Sequence, residues 1–231
     1  MTTIPSNLQS VRDRIAAACA GAQRQAEEVT LLAVSKTFGP DAVRQAHAAG
    51  QSAFGENYIQ EAVEKMELLA GLPIQWHCIG PIQSNKTRLV ATHFDWAHTV
   101  DRLKIAQRLS QQRPEGRPPL SVCIQVNIDG GATKSGVAPG EVLGLAREIA
   151  KLPALKLRGI MTIPEPAATF EEQKAVHARA HALFEDLRNA GLPVDTLSMG
   201  MSGDLEAAVA AGSTMVRVGT AIFGARPGKT N

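Results

Sequence analysis

The sequence has few cysteines, no long apolar run and almost no net charge, and each scarcity excludes a class of protein. Its three cysteines, Cys19, Cys78 and Cys123, sit among apolar neighbours and lack the CxxC and zinc-site spacings. We therefore expect buried thiols and a reducing compartment. The N-terminus shows no basic segment followed by an apolar one, and no window approaches about 20 uninterrupted apolar residues. We expect a cytoplasmic protein without a membrane segment.

The charge is balanced, with 24 basic and 22 acidic residues and a formal net charge of +2. No run of four like charges occurs, so neither nucleic acid nor a membrane surface is an expected partner. His177 and His181 have a metal-pair spacing, but no third ligand accompanies them. We therefore expect no metal site.

Short β-type runs alternate with amphipathic helical stretches along the chain. Eight runs predict strands, at 29–35, 51–55, 74–79, 94–100, 120–126, 155–163, 194–199 and 214–218. Helical segments between them include 41–49, 59–70, 102–112 and 170–190, and Thr169 with Glu172 predicts a capping box at the start of the last. A further helix, about 8–21, precedes the first strand and is expected to plug or flank the barrel bottom.

Eight strands that are each followed by a helix favour a parallel sheet closed into a single (β/α)8 TIM barrel over residues 1–231. The alternative is an open doubly wound sheet. Such sheets often have a GxGxxG turn after the first strand, and here the corresponding turn, 36–40, lacks it. The closed barrel is therefore preferred.

Polar residues gather where the predicted strands end, which is the edge on which TIM barrels build their sites. They are Lys36, Glu56, Asn57, His77, Asn127, Thr162, Ser198, Ser202, Arg217, Gly219 and Thr220. A similar ring is expected wherever strand ends meet solvent. Position alone therefore does not separate a binding site from an ordinary barrel rim.

Lys36 and Arg217 are the strongest candidates. Lys36 closes an aliphatic strand, where desolvation lowers the pKa of an amine and makes it nucleophilic toward an aldehyde. The alternative is a lysine that extends from the strand end into water. Arg217 shares a strand face with Gly219, and closure places the eighth strand beside the first. Both cations should therefore approach one cavity that suits an anionic or electron-rich ligand.

The loops after strands seven and eight predict an anion site. Barrels frequently bind phosphate there, and the loops offer hydroxyls and accessible N–H groups. Asp204 and Glu206 fall in the first turn of the following helix and would repel phosphate. We therefore expect direct donors, rather than the helix dipole, to bind the anion. The candidate donors are Ser198, Ser202, Gly219 and Thr220.

Six segments together resemble the YggS/PROSC-type family of pyridoxal phosphate homeostasis proteins, over about 29–226. They are 33–37, 54–61, 76–86, 157–161, 197–202 and 212–224. The resemblance implies a fold-type III barrel like the N-terminal domain of alanine racemase, with pyridoxal 5'-phosphate as a Schiff base (internal aldimine) on Lys36. It implies that Arg217 faces the pyridine nitrogen and that phosphate lies among Ser198, Ser202, Gly219 and Thr220; Asn57 completes the expected cofactor-binding set.

The resemblance also implies storage, buffering or delivery of the cofactor, with apo pyridoxal-phosphate enzymes as recipients. Alanine racemase takes its second base, a tyrosine, from another domain, whereas this chain has only Tyr58. We therefore expect no catalytic residue. The alternative to cofactor homeostasis is a weakly active racemase-like enzyme, and a Schiff-base aldolase is a third hypothesis. The loop 127–140, which carries Lys134, is expected to overhang the barrel as a lid or as an ordinary mobile loop.

Overall fold

The computed structural model describes residues 3–132 and 134–225, and within them eight parallel strands close into a barrel in the order β1 to β8. The strands are β1 Thr30–Val34, β2 Ala53–Glu56, β3 Gln75–Cys78, β4 Trp96–Val100, β5 Leu120–Val126, β6 Leu155–Thr162, β7 Thr196–Ser198 and β8 Met215–Val218. The predicted closed barrel is confirmed, with several strand ends trimmed by one or two residues. That all of 1–231 forms one domain stays a prediction.

The described residues also form nine α-helices. They are α1 Ile4–Gly21, α2 Pro40–Ala48, α3 Ile59–Leu68, α4 Thr87–His93, α5 Leu103–Gln112, α6 Val142–Ile149, α7 Phe170–Asn189, α8 Leu205–Ala210 and α9 Thr220–Phe223. The predicted capping box of α7 is confirmed, because the Glu172 N–H donates to Thr169 Oγ1 and the Thr169 N–H donates to Glu172 Oε2. Helices α2 to α8 are the crossovers that cover the outside of the parallel sheet.

The apolar residues form two separate layers. The larger lies between the barrel wall and the helices, and the smaller fills the barrel interior. The interior layer consists of Leu32, Val34, Ala53, Ile79, Trp96, Cys123, Met161 and Met215. Because successive residues of a strand point to opposite faces, the side chains two positions from these apolar groups also face inward. Several of those inward positions are polar, and they supply the site described below.

Helix α1 lies in the outer ring of helices, not in the bottom opening of the barrel. Its apolar stripe is buried, and it packs against α8, α9 and α2. Arg14 forms an ion pair with Glu206 at 2.8 Å, and just beyond the helix Arg24 donates from Nη1 to Val209 O. Since no crossover helix links β8 back to β1, α1 covers the seam between these strands.

Two expectations about composition can be compared with the fold. Cys19, Cys78 and Cys123 are buried and unpaired, as predicted. Burial raises the pKa of the Cys78 and Cys123 thiols to about 12, so both are inert at neutral pH. Among the helices formed by residues 3–132 and 134–225, none has both the length and the apolar character of a membrane span.

Candidate functional site

Lys36 lies beside the loop that follows β8, as the predicted closure requires. Strands β1 and β8 pair directly, with Leu32 opposite Arg217. Lys36 is half-buried and follows the end of β1 by two residues. Beyond it, Phe38 stacks on Phe223 of α9 with ring centroids 5.2 Å apart. The loops that carry Lys36 and the β8–α9 junction are therefore fastened together at one end of the barrel.

The backbone around Lys36 is strained and held in place. Thr37 has a φ of 67°, in the left-handed region that a β-branched residue rarely adopts. Its N–H donates to Glu61 Oε1 at 3.0 Å, and on the other side of Lys36 the Ser35 carbonyl accepts from Lys65 Nζ at 3.0 Å. Strain of this kind persists where neighbouring contacts enforce it, and it often marks functional positions.

A buried ion pair anchors these contacts. Lys65 Nζ lies 2.6 Å from Glu56 Oε1, and the Ser35 hydroxyl donates to the same oxygen at 2.6 Å. Burial raises the pKa of Glu56, and the charge of Lys65 opposes the rise. We expected Glu56 at the rim of the site, but its carboxylate instead forms an ion pair with Lys65. Lys65 was not among the expected site residues, although its position on the apolar stripe of α3, three residues after Ala62, signals burial.

Arg217 is buried inside the barrel, on the strand that pairs with β1. Its Nη1 donates to Ser198 Oγ and its Nη2 donates to the Thr162 carbonyl, both at 2.8 Å. Both partners are neutral, and within the described part of the chain no carboxylate forms an ion pair with this guanidinium. Burial lowers the pKa of Arg217 to about 10, so it stays charged at neutral pH.

Ser198 lies within the barrel, against Arg217. Its side chain is fully buried, and its Oγ also bonds to His98 Nδ1 at 3.0 Å. His98 Nε2 in turn lies 2.8 Å from His77 Nδ1. His77 Nε2 then bonds to Gln75 Oε1 at 3.0 Å. His77, expected among the polar residues at the strand ends, is thus a buried histidine with partners. His98 was not predicted as a site residue, because it lies in the middle of β4, a strand that is buried at every position.

Burial holds both histidines neutral. It lowers the pKa of His77 to about 3, and it lowers that of His98 well below its usual value, with His77 and Arg217 adding to the effect. The His77 ring stacks on Trp96 at 5.0 Å between centroids, and Arg158 covers the same indole at 4.3 Å. An aromatic stack therefore fixes the orientation of His77.

The other anion donors lie in the loops after β7 and β8. Ser202 is half-buried, and its carbonyl accepts from Arg14 Nη2 at 3.1 Å. Gly219 is the N-cap of α9, and Thr220 begins that short helix. A Cβ on Gly219 would lie 3.1 Å from Val34 O, so a glycine suits this close approach to β1.

The acids expected to repel an anion have partners of their own. Asp204 accepts from His177 Nε2 at 2.8 Å and from the Met201 N–H at 2.7 Å. Burial tends to raise the pKa of Asp204, but these hydrogen bonds outweigh it and hold the pKa below its usual value. Glu206 forms its ion pair with Arg14. Their negative charge is therefore partly compensated.

Near the end of β2, the buried Asn57 Oδ1 has no hydrogen-bond partner among the described residues, and neither does Thr37 Oγ1 beside Lys36. Asn57 is held against Gly80, where a Cβ would lie 2.0 Å from the Asn57 carbonyl oxygen. An unpaired buried acceptor is costly, so Asn57 Oδ1 is available to a polar ligand at this end of the barrel.

Two remaining candidates lie away from the barrel mouth or at its rim. His177 and His181 do not form a metal pair: His177 bonds to Asp204, His181 lies near Glu185, and the described residues contain no group of three metal-type ligands. In the loop after β5, Lys134 Nζ lies 3.1 Å from Glu165 Oε1 and donates to Ile163 O. Its neighbour Thr133 lies outside the described residues.

Comparison with known proteins gives consistent matches over nearly the whole chain. The sequence family described as "Alanine racemase, N-terminal domain" matches residues 7–227. A "Pyridoxal phosphate homeostasis protein" of Pseudomonas aeruginosa is 59% identical over 98% of this chain and 97% of its own length. One of the same name from Escherichia coli is 53% identical over 98% of each chain. The solved structure of PipY from Synechococcus elongatus, "with PLP bound", has a TM-score of 0.83 and 36% identity, and the match covers 96% of this chain and all of that one.

Proposed function

We propose a function for this chain from its family, since it belongs to the alanine racemase N-terminal domain family and, within it, to the pyridoxal phosphate homeostasis proteins. It binds pyridoxal 5'-phosphate and takes part in the homeostasis of this cofactor by storing, buffering or delivering it. The two relatives of this name described above match over 97% and 98% of their own length. Apo pyridoxal-phosphate enzymes are the proposed recipients.

One observation carries the proposal: a buried, charged guanidinium whose hydrogen bonds go only to neutral oxygens lies below the loop of Lys36. Arg217 keeps further N–H groups beyond the two given to Ser198 and Thr162. A buried cation needs compensation, and an electron-rich ring nitrogen and a phosphate both supply it. The unpartnered Asn57 Oδ1 adds an acceptor that suits a hydroxyl. This donor and acceptor set fits pyridoxal phosphate.

Each expected residue then has a distinct role. When bound, the cofactor supplies an aldehyde that condenses with amines and a ring that can accept electrons. Lys36 provides the amine, and Arg217 faces the ring nitrogen. Ser202, Gly219 and Thr220 hold the phosphate by hydroxyl and backbone N–H groups. We assign Ser198 to support of Arg217, because its oxygen is already engaged there.

The same arginine argues for storage rather than turnover. A guanidinium with a pKa of about 10 does not pass its proton to a ring nitrogen at neutral pH. The ring therefore stays a poor electron sink. Tyr58, the single tyrosine, is 53% exposed and follows β2. No described residue is assigned as a catalytic base.

The test is spectroscopic and chemical. The purified protein incubated with pyridoxal phosphate should absorb near 420 nm, roughly where imine-bound cofactor absorbs, and Lys36→Ala should lose this band while unfolding at the parent's temperature. Lys151→Ala, at an exposed lysine just after α6, is the control. After borohydride, mass spectrometry should find the adduct on the Lys36 peptide. An adduct confined to another lysine contradicts the assignment, and turnover of D- or L-amino acids would favour a racemase-like enzyme.

A further inference from the structure

The hydrogen-bonded series from Gln75 to Arg217 has one direction. Gln75 Oε1 accepts only, so His77 carries its proton on Nε2 and leaves Nδ1 as an acceptor. His98 must then donate from Nε2 to His77 and accept at Nδ1. The Ser198 hydroxyl therefore donates to His98. Its lone pairs are left for Arg217.

Both histidines have to be neutral for this order, since an imidazolium has no acceptor. The burial of the two rings meets the requirement independently. Trp96 stacks on His77, and Arg158 lies over the same indole, so the orientation of the His77 ring is restricted. Gln75, at the start of β3, ends the series at the bottom of the barrel.

We propose that His77 and His98 are positioning residues for Arg217. They orient the Ser198 hydroxyl so that it accepts from Nη1, while the Thr162 carbonyl accepts from Nη2, and the guanidinium is fixed in one orientation. Its remaining N–H groups are then presented to the ring of pyridoxal phosphate without side-chain reordering upon binding. The inference rests on the proposed function, because the positioned group acts on that cofactor.

Replacements at His98 test which nitrogen matters. The amide of asparagine takes the place of imidazole Nδ1, so His98→Asn can still accept from Ser198. The amide of glutamine takes the place of Nε2, so His98→Gln keeps the contact with His77 and loses Ser198. We expect about tenfold weaker pyridoxal phosphate binding for His98→Gln and less than about threefold for His98→Asn; tenfold corresponds to about 1.4 kcal/mol. The same pair of replacements at the half-exposed His181 is the control.

A double-mutant cycle separates positioning from packing. Ser198→Ala should weaken binding about as much as His98→Gln, and the two together should cost little more than either alone, because both break the same bond. The absorbance maximum of the bound cofactor should shift in both single variants and not in His98→Asn. Additive effects, or equal losses in the two His98 variants, would overturn the positioning role.

Nuclear magnetic resonance of nitrogen-15 histidine in the protein without added cofactor gives a readout that needs no variant. Both His77 and His98 should show the neutral Nε2–H tautomer from pH 8 to pH 5. An Nδ1–H tautomer at His98 overturns the proposed direction even if the His98 variants do not fold. A parent protein that binds no pyridoxal phosphate overturns the proposed function instead, so the two failures are distinguishable.

Discussion

Lys65 Nζ lies 2.6 Å from Glu56 Oε1 with the two side chains 4% and 0% exposed, and this ion pair holds the carbonyl of the residue before Lys36. The pair belongs to β2 and α3, whereas Ser35 follows β1. The ammonium thus joins β2, α3 and the end of β1 close to the strained Thr37 backbone. Loss of either charge leaves the other buried without compensation, which is far costlier than loss of an exposed pair.

Lys65→Met should therefore lower the free energy of unfolding by about 3–5 kcal/mol. Urea unfolding measures the change. The control is Lys151→Met, because Lys151 and Glu148 have the same 2.6 Å separation with side chains 68% and 49% exposed. We expect an effect below about 1 kcal/mol there. Glu56→Leu added to Lys65→Met should recover part of the loss; similar losses in the two lysine variants would contradict the argument.

The buried histidines predict a loss of stability at low pH. Their lowered pKa values keep them neutral when folded, while the unfolded chain takes up protons below about pH 6.5. Their contribution to stability is thus complete above that pH and falls as pH decreases toward the folded-state pKa. At pH 5 each histidine should cost on the order of 2 kcal/mol. Urea unfolding at pH 7.5 and 5.0 should show a smaller difference in His98→Asn than in the parent or His181→Asn, and equal differences would refute the assignment.

The barrel could be predicted because its signal is repeated along the chain. Eight apolar runs and the helical stretches between them fix strand order, and strand order places β8 beside β1. The proximity of the loop that carries Lys36 to the loop after β8 follows from closure alone. The apolar face of α1 could be predicted from its sequence. Its position in the outer ring of helices could not, because α1 fills the gap that remains where no crossover helix connects β8 to β1.

The polar interior could not be predicted from local pattern. His77 and His98 lie in separate apolar strands, and their contact depends on the register of β3 against β4. Ser198 was predicted to bind phosphate from a loop, but it ends strand β7. The register of β7 against β8 places its hydroxyl within hydrogen-bond distance of Arg217. The position of Lys65 on the apolar stripe of α3 signals burial, but its partner Glu56 is known only from the packing of α3 on β2. Long-range register, rather than residue type, assembles this part of the site.

Arg217→Glu tests the charge opposite the ring nitrogen. A carboxylate can share a proton with that nitrogen, which makes the ring a better electron acceptor. We expect slow conversion of pyridoxal phosphate and an amino acid to pyridoxamine phosphate and a keto acid. Chromatography of the products measures this conversion. Arg217→Gln, which lacks the carboxylate, should bind the cofactor more weakly and show no conversion. Unchanged spectra and affinity in both variants would remove Arg217 from the site.

Lys134 tests delivery. Its ammonium is held near the loop after β6 by Glu165 and the Ile163 carbonyl. If this amine or the loop that carries it assists release, Lys134→Ala should transfer cofactor to an apo pyridoxal-phosphate enzyme several-fold more slowly than the parent. Lys151→Ala should transfer at the parent's rate. Transfer by the parent at only the rate of free cofactor re-equilibration would instead favour buffering of the free pool.

The seam between β1 and β8 makes the binding site depend on both ends of the sequence. The bond from Arg24 to Val209 across it spans 185 residues. During synthesis, β1 therefore has one edge without a partner until the last strand emerges, and contacts of such long range form slowly. A chain lacking β8 carries Lys36 but not Arg217, Gly219 or Thr220. Retention of the cofactor consequently reports that the barrel has closed.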